Sequence, residues 1–372
     1  MAVASAYLDH NATSPLRPVA FDAMVEALRL GGNPSSVHHV GRGARALIDR
    51  ARQQVADLAG ALASEIVFTA GGTEANNLAL TGAGRRRVLF SAIEHDSVLK
   101  AASGGEIIPV DRLGVVDLAA LERQLAASRE PALVSVMFAN NETGVLQPIA
   151  DVARLARRFG ALVHCDAVQG AGKLPVDLHG LGVDYLSLSA HKLGGPTGVG
   201  ALAVRAGAPL LPDRFGGGQE FHRRAGTENV SGIAGFGAAA VAAKDGLDVG
   251  DLRQRLETEL RAIAPATIFG IGAPRLDNTS CIAMPGVPSE TQVMALDLAG
   301  VCVSAGAACS SGKVTRSSVL LAMGVAVAEA ETAIRISLGW NSAAADIERL
   351  IAAWRELYIR VTHSDNGRAK AA

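Results

Sequence analysis

The one lysine of residues 183–195, V-D-Y-L-S-L-S-A-H-K-L-G-G, is Lys192, set among small and apolar side chains. Tyr185–Ser189 alternates apolar with small polar residues, as a strand does, and Gly194, Gly195 and Pro196 then break it. Lys192 is therefore placed just past a strand end, where open α/β sheets bind their ligands. An amine partly removed from water there loses its proton more readily and can form an imine with a carbonyl. Residues 162–165, a second apolar run, deliver Asp166 to the same edge. Residues 66–69, a third, lead into Ala70-Gly71-Gly72-Thr73-Glu74, a small-residue turn opening a helix whose free N–H groups attract an anion, most plausibly a phosphate. A carboxylate keeps a pyridinium nitrogen protonated, so Asp166, Lys192 and the Gly72-Thr73 turn together supply what pyridoxal phosphate (PLP) requires. Ser189 and His191 flank the lysine as further phosphate donors, and Gln169 can bond the ring's 3-hydroxyl.

Other strand ends add to this set. His95 follows residues 88–91 and offers an aromatic face to a planar ring. Residues 133–138 form a buried strand ending in Ala139-Asn140-Asn141-Glu142-Thr143-Gly144, whose amides and carboxylate are costly to bury without partners and so cap the turn or face a polar ligand. Arg335 interrupts the apolar alternation of residues 334–338, and its guanidinium fork suits a carboxylate. Arg223, Arg224 and Thr227, in a Gly-rich loop, make a second phosphate contact. Cys309 lies in a run of small residues, 303–313, with no periodic pattern, which predicts a mobile loop and a reactive thiol. Cys165, Cys281 and Cys302 sit in apolar strand contexts and read as core.

The elements that must position these groups alternate strand and helix, which predicts a mostly parallel sheet flanked by helices. Helices are expected over residues 18–28, up to Leu58, and over 75–80, 149–159, 252–263 and 290–297; a further strand is expected at 276–284. At 372 residues two domains are the default, and 49% hydrophobic residues with 41 glycines fit a compact α/β enzyme rather than a disordered chain. The division expected is a large domain over 16–255 and a smaller α+β domain made of 1–15 and 256–372. A net charge of -1 gives no reason to expect nucleic acid or an anionic membrane as a partner. The N-terminus has no secretory pattern and no apolar run spans a bilayer, so a cytoplasmic protein is expected. Four scattered cysteines imply reduced thiols. The chain has no G-x-x-x-x-G-K-[ST] run, and Gly198-Val199-Gly200 with Ala203 imitates a dinucleotide fingerprint without opening a helix.

Taken in order, Asp9-His10-Asn11-Ala12-Thr13, Gly32-Asn33-Pro34-Ser35-Ser36, Gly72-Thr73-Glu74, Asn140-Asn141-Glu142-Thr143-Gly144, His164-Cys165-Asp166-Ala167-Val168-Gln169, Ser189-Ala190-His191-Lys192, Arg224-Ala225-Gly226-Thr227-Glu228-Asn229, Ala308-Cys309-Ser310-Ser311-Gly312 and Ile334-Arg335-Ile336-Ser337 span residues 9–337. This succession resembles the cysteine desulfurases of the NifS/IscS type, PLP enzymes of the class V aminotransferase family with the type I PLP-transferase fold. The resemblance implies a homodimer with its sites at the interface, converting L-cysteine to L-alanine and leaving a persulfide on Cys309. It implies that Lys192 holds the cofactor and moves the α-proton, His95 stacks on the ring and assists proton transfer, Asp166 pairs the pyridinium and Gln169 the 3-hydroxyl. Gly72, Thr73, Ser189 and His191 would hold the phosphate from one subunit and Thr227 from the other; Asn141, Arg335 and Asn33 would bind substrate. The sulfur would pass to a scaffold protein of the IscU/NifU kind for iron-sulfur cluster assembly or another thio-cofactor. No resident metal is implied, although Cys309 could share a nascent cluster. Two departures touch the cysteine loop: Ser304-Ala305-Gly306-Ala307-Ala308 replaces the family's Ser-Ser-Gly-Ser-Ala, and Arg316-Ser317-Ser318-Val319 replaces Pro-Ser-His-Val. A selenocysteine lyase or an aminotransferase of the same fold would keep Lys192, Asp166 and His95 without requiring Cys309.

Overall fold

The computed structural model describes residues 5–306 and 316–369, with side chains to residue 362. Seven strands form the main sheet: β1 (Ile66–Thr69), β2 (Arg87–Ser91), β3 (Glu106–Ile108), β4 (Ala132–Ser135), β5 (Leu162–Asp166), β6 (Tyr185–Ser189) and β7 (Gly200–Val204). Their order is β1-β7-β6-β5-β4-β2-β3, and only β7 runs against its neighbours. β1 and β6 therefore point the same way as β5, β4, β2 and β3, and five of these six strands, all but β3, deliver the residues of the site from their ends. Both faces of the sheet are covered by helices, so strands such as β1 and β7 carry near-continuous apolar runs, while β6 keeps its alternation of apolar and small polar residues with both sets buried. All four residues of β1 and all five of β6 and β7 are buried.

Gly200, at the start of β7, explains the Gly-Val-Gly run. A Cβ there would lie 2.7 Å from the Gly71 backbone, so the glycine lets β7 pass close to the turn that precedes the Gly72–Gly82 helix. The Leu133 strand is shorter than expected. Its ladder stops at Ser135, although Val136 and Phe138 still donate to His164 and Asp166 carbonyls. The remaining elements lie within three residues of their expected ends, among them Pro18–Leu30, Gly250–Ile263, Thr279–Ala283, Ser289–Leu298 and Ala333–Ser337.

A second sheet of four strands runs Ser304–Ala305, Ala333–Ser337, Thr279–Ala283, Thr267–Ile268, and Ala6–Tyr7 pairs with Val301–Cys302 beside it. Its apolar cluster joins Ala6 and Leu8 to Leu256, Ile282, Ile334 and Trp354, apart from the cluster under the main sheet that runs from Ala20 to Ala243. Each fully buried Leu or Ile in these clusters contributes roughly 1.5–3 kcal/mol. Cys302 corrects one expectation: Cys165 and Cys281 are core, but Cys302 is only half-buried because its neighbours Val301 and Val303 take the face turned into the second cluster and alternation turns Cys302 away. Among the described residues no helix is long and apolar enough to cross a membrane.

Candidate active site

A cavity of about 360 Å³ opens where the five strand ends meet, a size typical of small-molecule sites. Gly72 and Thr73 reach it after β1, His95 after β2, Asn141 after β4, Asp166 and Gln169 from β5, and Ser189, His191 and Lys192 from β6. Arg335 enters from the second sheet. Ten of the residues singled out in the sequence thus line one space. Asn33 and Thr227 do not line it; both are exposed on loops. Cys309 lies outside the described residues.

Lys192 donates to the carbonyls of Asn11 at 2.5 Å and Ala12 at 2.8 Å, so the N-terminal arm, bridged at Asp9 to Ser337, forms its backing. His191 Nδ1 meets Thr13 Oγ1 at 3.1 Å, and burial, then the Lys192 charge, pushes its pKa down to about 4. It is neutral at pH 7. Ser189 Oγ is buried with no hydrogen-bond partner, beside the N-terminus of the Gly72–Gly82 helix. A Cβ at Gly72 would come within 2.7 Å of Val168 Cγ2 and 3.4 Å of Ser189 Cβ, so the backbone at the helix start is open only because residue 72 has no side chain. Free helix N–H groups and an orphaned hydroxyl fit a phosphate.

Asp166 supplies the carboxylate at the end of β5. It is buried, accepts Asn76 Nδ2 at 2.7 Å on one oxygen and Val168 N–H at 3.0 Å on the other, and is thereby fixed in orientation. Close by, burial first and then the Asp166 charge push Glu94 well above the usual carboxylate range. His95 caps the short Asp96–Leu99 helix: its Nδ1 accepts the Ser97 N–H at 3.1 Å, which leaves the proton of the neutral ring on Nε2. These groups fit pyridoxal phosphate in type and placement: an amine, a fixed carboxylate, a ring face and an anion cradle around one cavity.

Arg335 is 3% exposed, not a surface residue. It donates to Asp9 Oδ1 at 2.8 Å and to the Asn141 carbonyl at 3.2 Å, while its Nε is buried without a partner. Ser304 pairs directly opposite Arg335, and its hydroxyl donates to the other Asp9 oxygen at 2.9 Å. Three residues of the site were not singled out in the sequence. Asn11 joins the arm to both sheets, donating to Thr279 Oγ1 at 2.9 Å; Asn76 holds Asp166; and Lys173 lies buried beneath Gln169. Asn76 is legible in retrospect, one helical turn past Gly72 and so on the same side of the helix.

The model of the family described as aminotransferase class V matches residues 6–350. The chain belongs to the class V aminotransferase family. Its relatives within this family include a cysteine desulfurase of Cereibacter sphaeroides, 47% identical with 93% of each chain covered. An IscS-like cysteine desulfurase of Mycobacterium tuberculosis is 40% identical over 92% of this chain and 93% of its own. Among solved structures, a NifS-like protein from Rickettsia africae superposes with a TM-score of 0.87 at 37% identity, covering 95% of this chain and 99% of that one. The mostly parallel sheet flanked by helices expected from the strand and helix order, and the type I PLP-transferase fold implied by the resemblance, are the fold of this class V chain.

Proposed function

We propose that the chain is a PLP-dependent cysteine desulfurase that converts L-cysteine to L-alanine and carries the sulfur away as a persulfide of Cys309. The observation that carries this reading is the meeting of Lys192, Asp166, Ser189 and the Gly72–Gly82 helix N-terminus around one cavity, in a class V chain 40–47% identical to proteins named cysteine desulfurase. Lys192 and Asp166 hold the two reactive ends of the cofactor, Gly72, Thr73, Ser189 and His191 its phosphate, and His95 its ring face. Bound there, the cofactor supplies an electron sink that acidifies the substrate α-carbon and loosens its carbon–sulfur bond. Arg335 and Asn141 hold the substrate carboxylate, with Arg335 exchanging part of its present bonding to Asp9 and the Asn141 carbonyl for it. Lys192 moves the α-proton, and Cys309 as thiolate attacks the substrate sulfur, forming a sulfur–sulfur bond as the carbon–sulfur bond breaks.

The described cysteines support assigning the attack to Cys309. Burial pushes Cys165 and Cys281 well above the ordinary thiol range, and burial followed by Asp297 and Asp9 raises Cys302, so none of the three is a thiolate at neutral pH. The same reading includes a homodimer in which Thr227 serves the neighbouring site, Asn33 as a further substrate contact, and a sulfur-acceptor scaffold protein of the IscU/NifU kind in the cytoplasm. It also divides the chain into a large domain over 16–255 and a small one over 1–15 and 256–372, in line with the two apolar clusters.

The test is alanine formation from L-cysteine, with and without a thiol reductant to discharge the persulfide. Cys309→Ser should keep the visible absorbance of the bound cofactor and lose alanine and sulfide production. A Cys309→Ser protein that forms alanine from cysteine as fast as the wild type would move the chain to another activity of the same fold.

A further inference from the structure

Lys173 is a buried amine at the floor of the site that the proposed chemistry leaves unused. It is only 8% exposed, and no carboxylate among the described residues pairs with it. Its Nζ donates instead to two amide oxygens, Asn11 Oδ1 and Gln169 Oε1, each at 2.7 Å. Gly172, at φ 75° between Gln169 and Lys173, adopts the left-handed conformation that brings the lysine back beneath the glutamine. Burial pushes the Lys173 amine well below the ordinary lysine value, and the charges of Lys192 and Arg335 push the same way. His10, neutral with its pKa lowered to about 4 by burial and then by Lys173, is the other titratable group facing it. Two amide oxygens thus stand in front of its N–H groups.

Both contacts settle which way an amide points. With Gln169 Oε1 held by Lys173, its Nε2 is turned the other way, donating at 3.0 Å to the carbonyl of Asn11, a cavity-lining residue whose carbonyl also receives Lys192. With Asn11 Oδ1 held, Asn11 Nδ2 is turned to the Asn141 carbonyl at 3.2 Å and Thr279. Lys173 and Lys192 also share the wall of a small cavity of about 20 Å³ behind the site, room for one water.

We propose that Lys173 is a positioning residue that locks the Gln169 amide with its N–H end toward the cofactor's phenolic oxygen, so that this oxygen is held in its deprotonated form beside Lys192. The proposal rests on the PLP-binding reading above. An unheld Gln169 could rotate and present its carbonyl, an acceptor, to an oxygen that is itself an acceptor, which would favour protonation there. Loss of a positive charge at Lys173, in the fraction of molecules that carry it, acts in the same direction.

The experiment is a pH titration of the visible absorbance of the reconstituted protein, in wild type, Lys173→Met, Gln169→Ala and the double variant. A wild-type protein that takes up no PLP overturns the functional reading itself; one that takes it up leaves this inference to the variants. Lys173→Met should raise the pH midpoint of the absorbance change by about one unit, the size expected for a lost hydrogen bond to a charged group. In the Gln169→Ala background the same substitution should add less than about a third of that shift, because the two residues act as a unit. An unchanged midpoint in Lys173→Met, or a full extra shift in the double variant, overturns the proposal. If the Met protein does not fold, Lys173→Gln, a donor that can reach only one of the two amides, carries the same comparison with a smaller shift of the same sign.

Discussion

His164 sits one residue before Cys165 and two before Asp166, fully buried between two hydroxyls, with Ser135 Oγ at 2.8 Å from Nδ1 and Ser187 Oγ at 2.9 Å from Nε2. Burial pushes it down to about 4, against a smaller upward pull from Asp166. The native ring is therefore neutral where the unfolded chain, titrating near 6.5, already binds a proton. Its contribution to stability is complete above about pH 6.5 and is lost as pH falls toward 4, by on the order of 3 kcal/mol at the acid end. Urea denaturation between pH 4.5 and 7.5 should show stability rising with pH, and His164→Gln should make that slope shallower. Asp166, whose two oxygens are already committed to Asn76 and the Val168 N–H, belongs to the same scale. Asp166→Asn keeps its shape and removes its charge, so alanine formation should fall about 100- to 1000-fold with little change in melting temperature. An Asn variant with wild-type turnover would exclude the carboxylate from the role given to it.

The turn from β1 into the Gly72–Gly82 helix decides how the anion cradle forms. A methyl group at residue 72 must displace Val168 on the cavity wall, a crowding that costs about 1–3 kcal/mol. Gly72→Ala should therefore lower the unfolding midpoint of the PLP-free protein by the equivalent of about 1–3 kcal/mol and weaken PLP binding about tenfold, read by equilibrium dialysis; an unchanged affinity would show that the helix start tolerates a side chain. Much at this scale was legible before the coordinates. Strand ends announce themselves by an apolar run that stops at a small or polar residue, which is how Asp166, His95 and Lys192 were placed on one edge. What was not legible depends on partners far away in sequence. β7 reads like any short buried strand, and nothing local says that it runs antiparallel between β1 and β6. Lys173 looks like a surface lysine after a Gly-Ala-Gly turn, and only the packing of the Asn11 arm over it makes it part of the floor. Arg335 was found because a charge in an apolar alternation is visible, but its Asp9 partner lies 326 residues away.

At the scale of the whole molecule the single chain leaves two things facing outward. Val19, Phe21, Leu28 and Leu30 of the Pro18–Leu30 helix are exposed, as are Val37, Phe215 and Phe221 elsewhere in the chain. Phe215 and Phe221 belong to the same 212–229 stretch as Thr227, and that stretch is braced from within. Glu220 takes both Arg52 N–H groups, at 2.6 and 2.8 Å, and the Phe68 N–H at 2.9 Å, while Glu220, Phe221 and His222 all hold positive φ. Such backbone persists only where its surroundings impose it, and here the buried Arg52–Glu220 pair does so. A braced, exposed loop bearing a phosphate-binding residue type, beside exposed apolar side chains, is what a subunit that completes its neighbour's site would present. The consequence can be read from hybrids. Combining a Lys192→Ala subunit with a Thr227→Val subunit leaves, in the mixed dimer, one site with its own lysine and the neighbour's threonine. That hybrid should bind one PLP with wild-type affinity, whereas the Thr227→Val homodimer should bind about tenfold more weakly at both sites, the loss of one hydrogen bond to a charged group. A hybrid with no wild-type site would place Thr227 in its own subunit's chemistry, and a Thr227→Val homodimer of wild-type affinity would leave Thr227 without a part in binding.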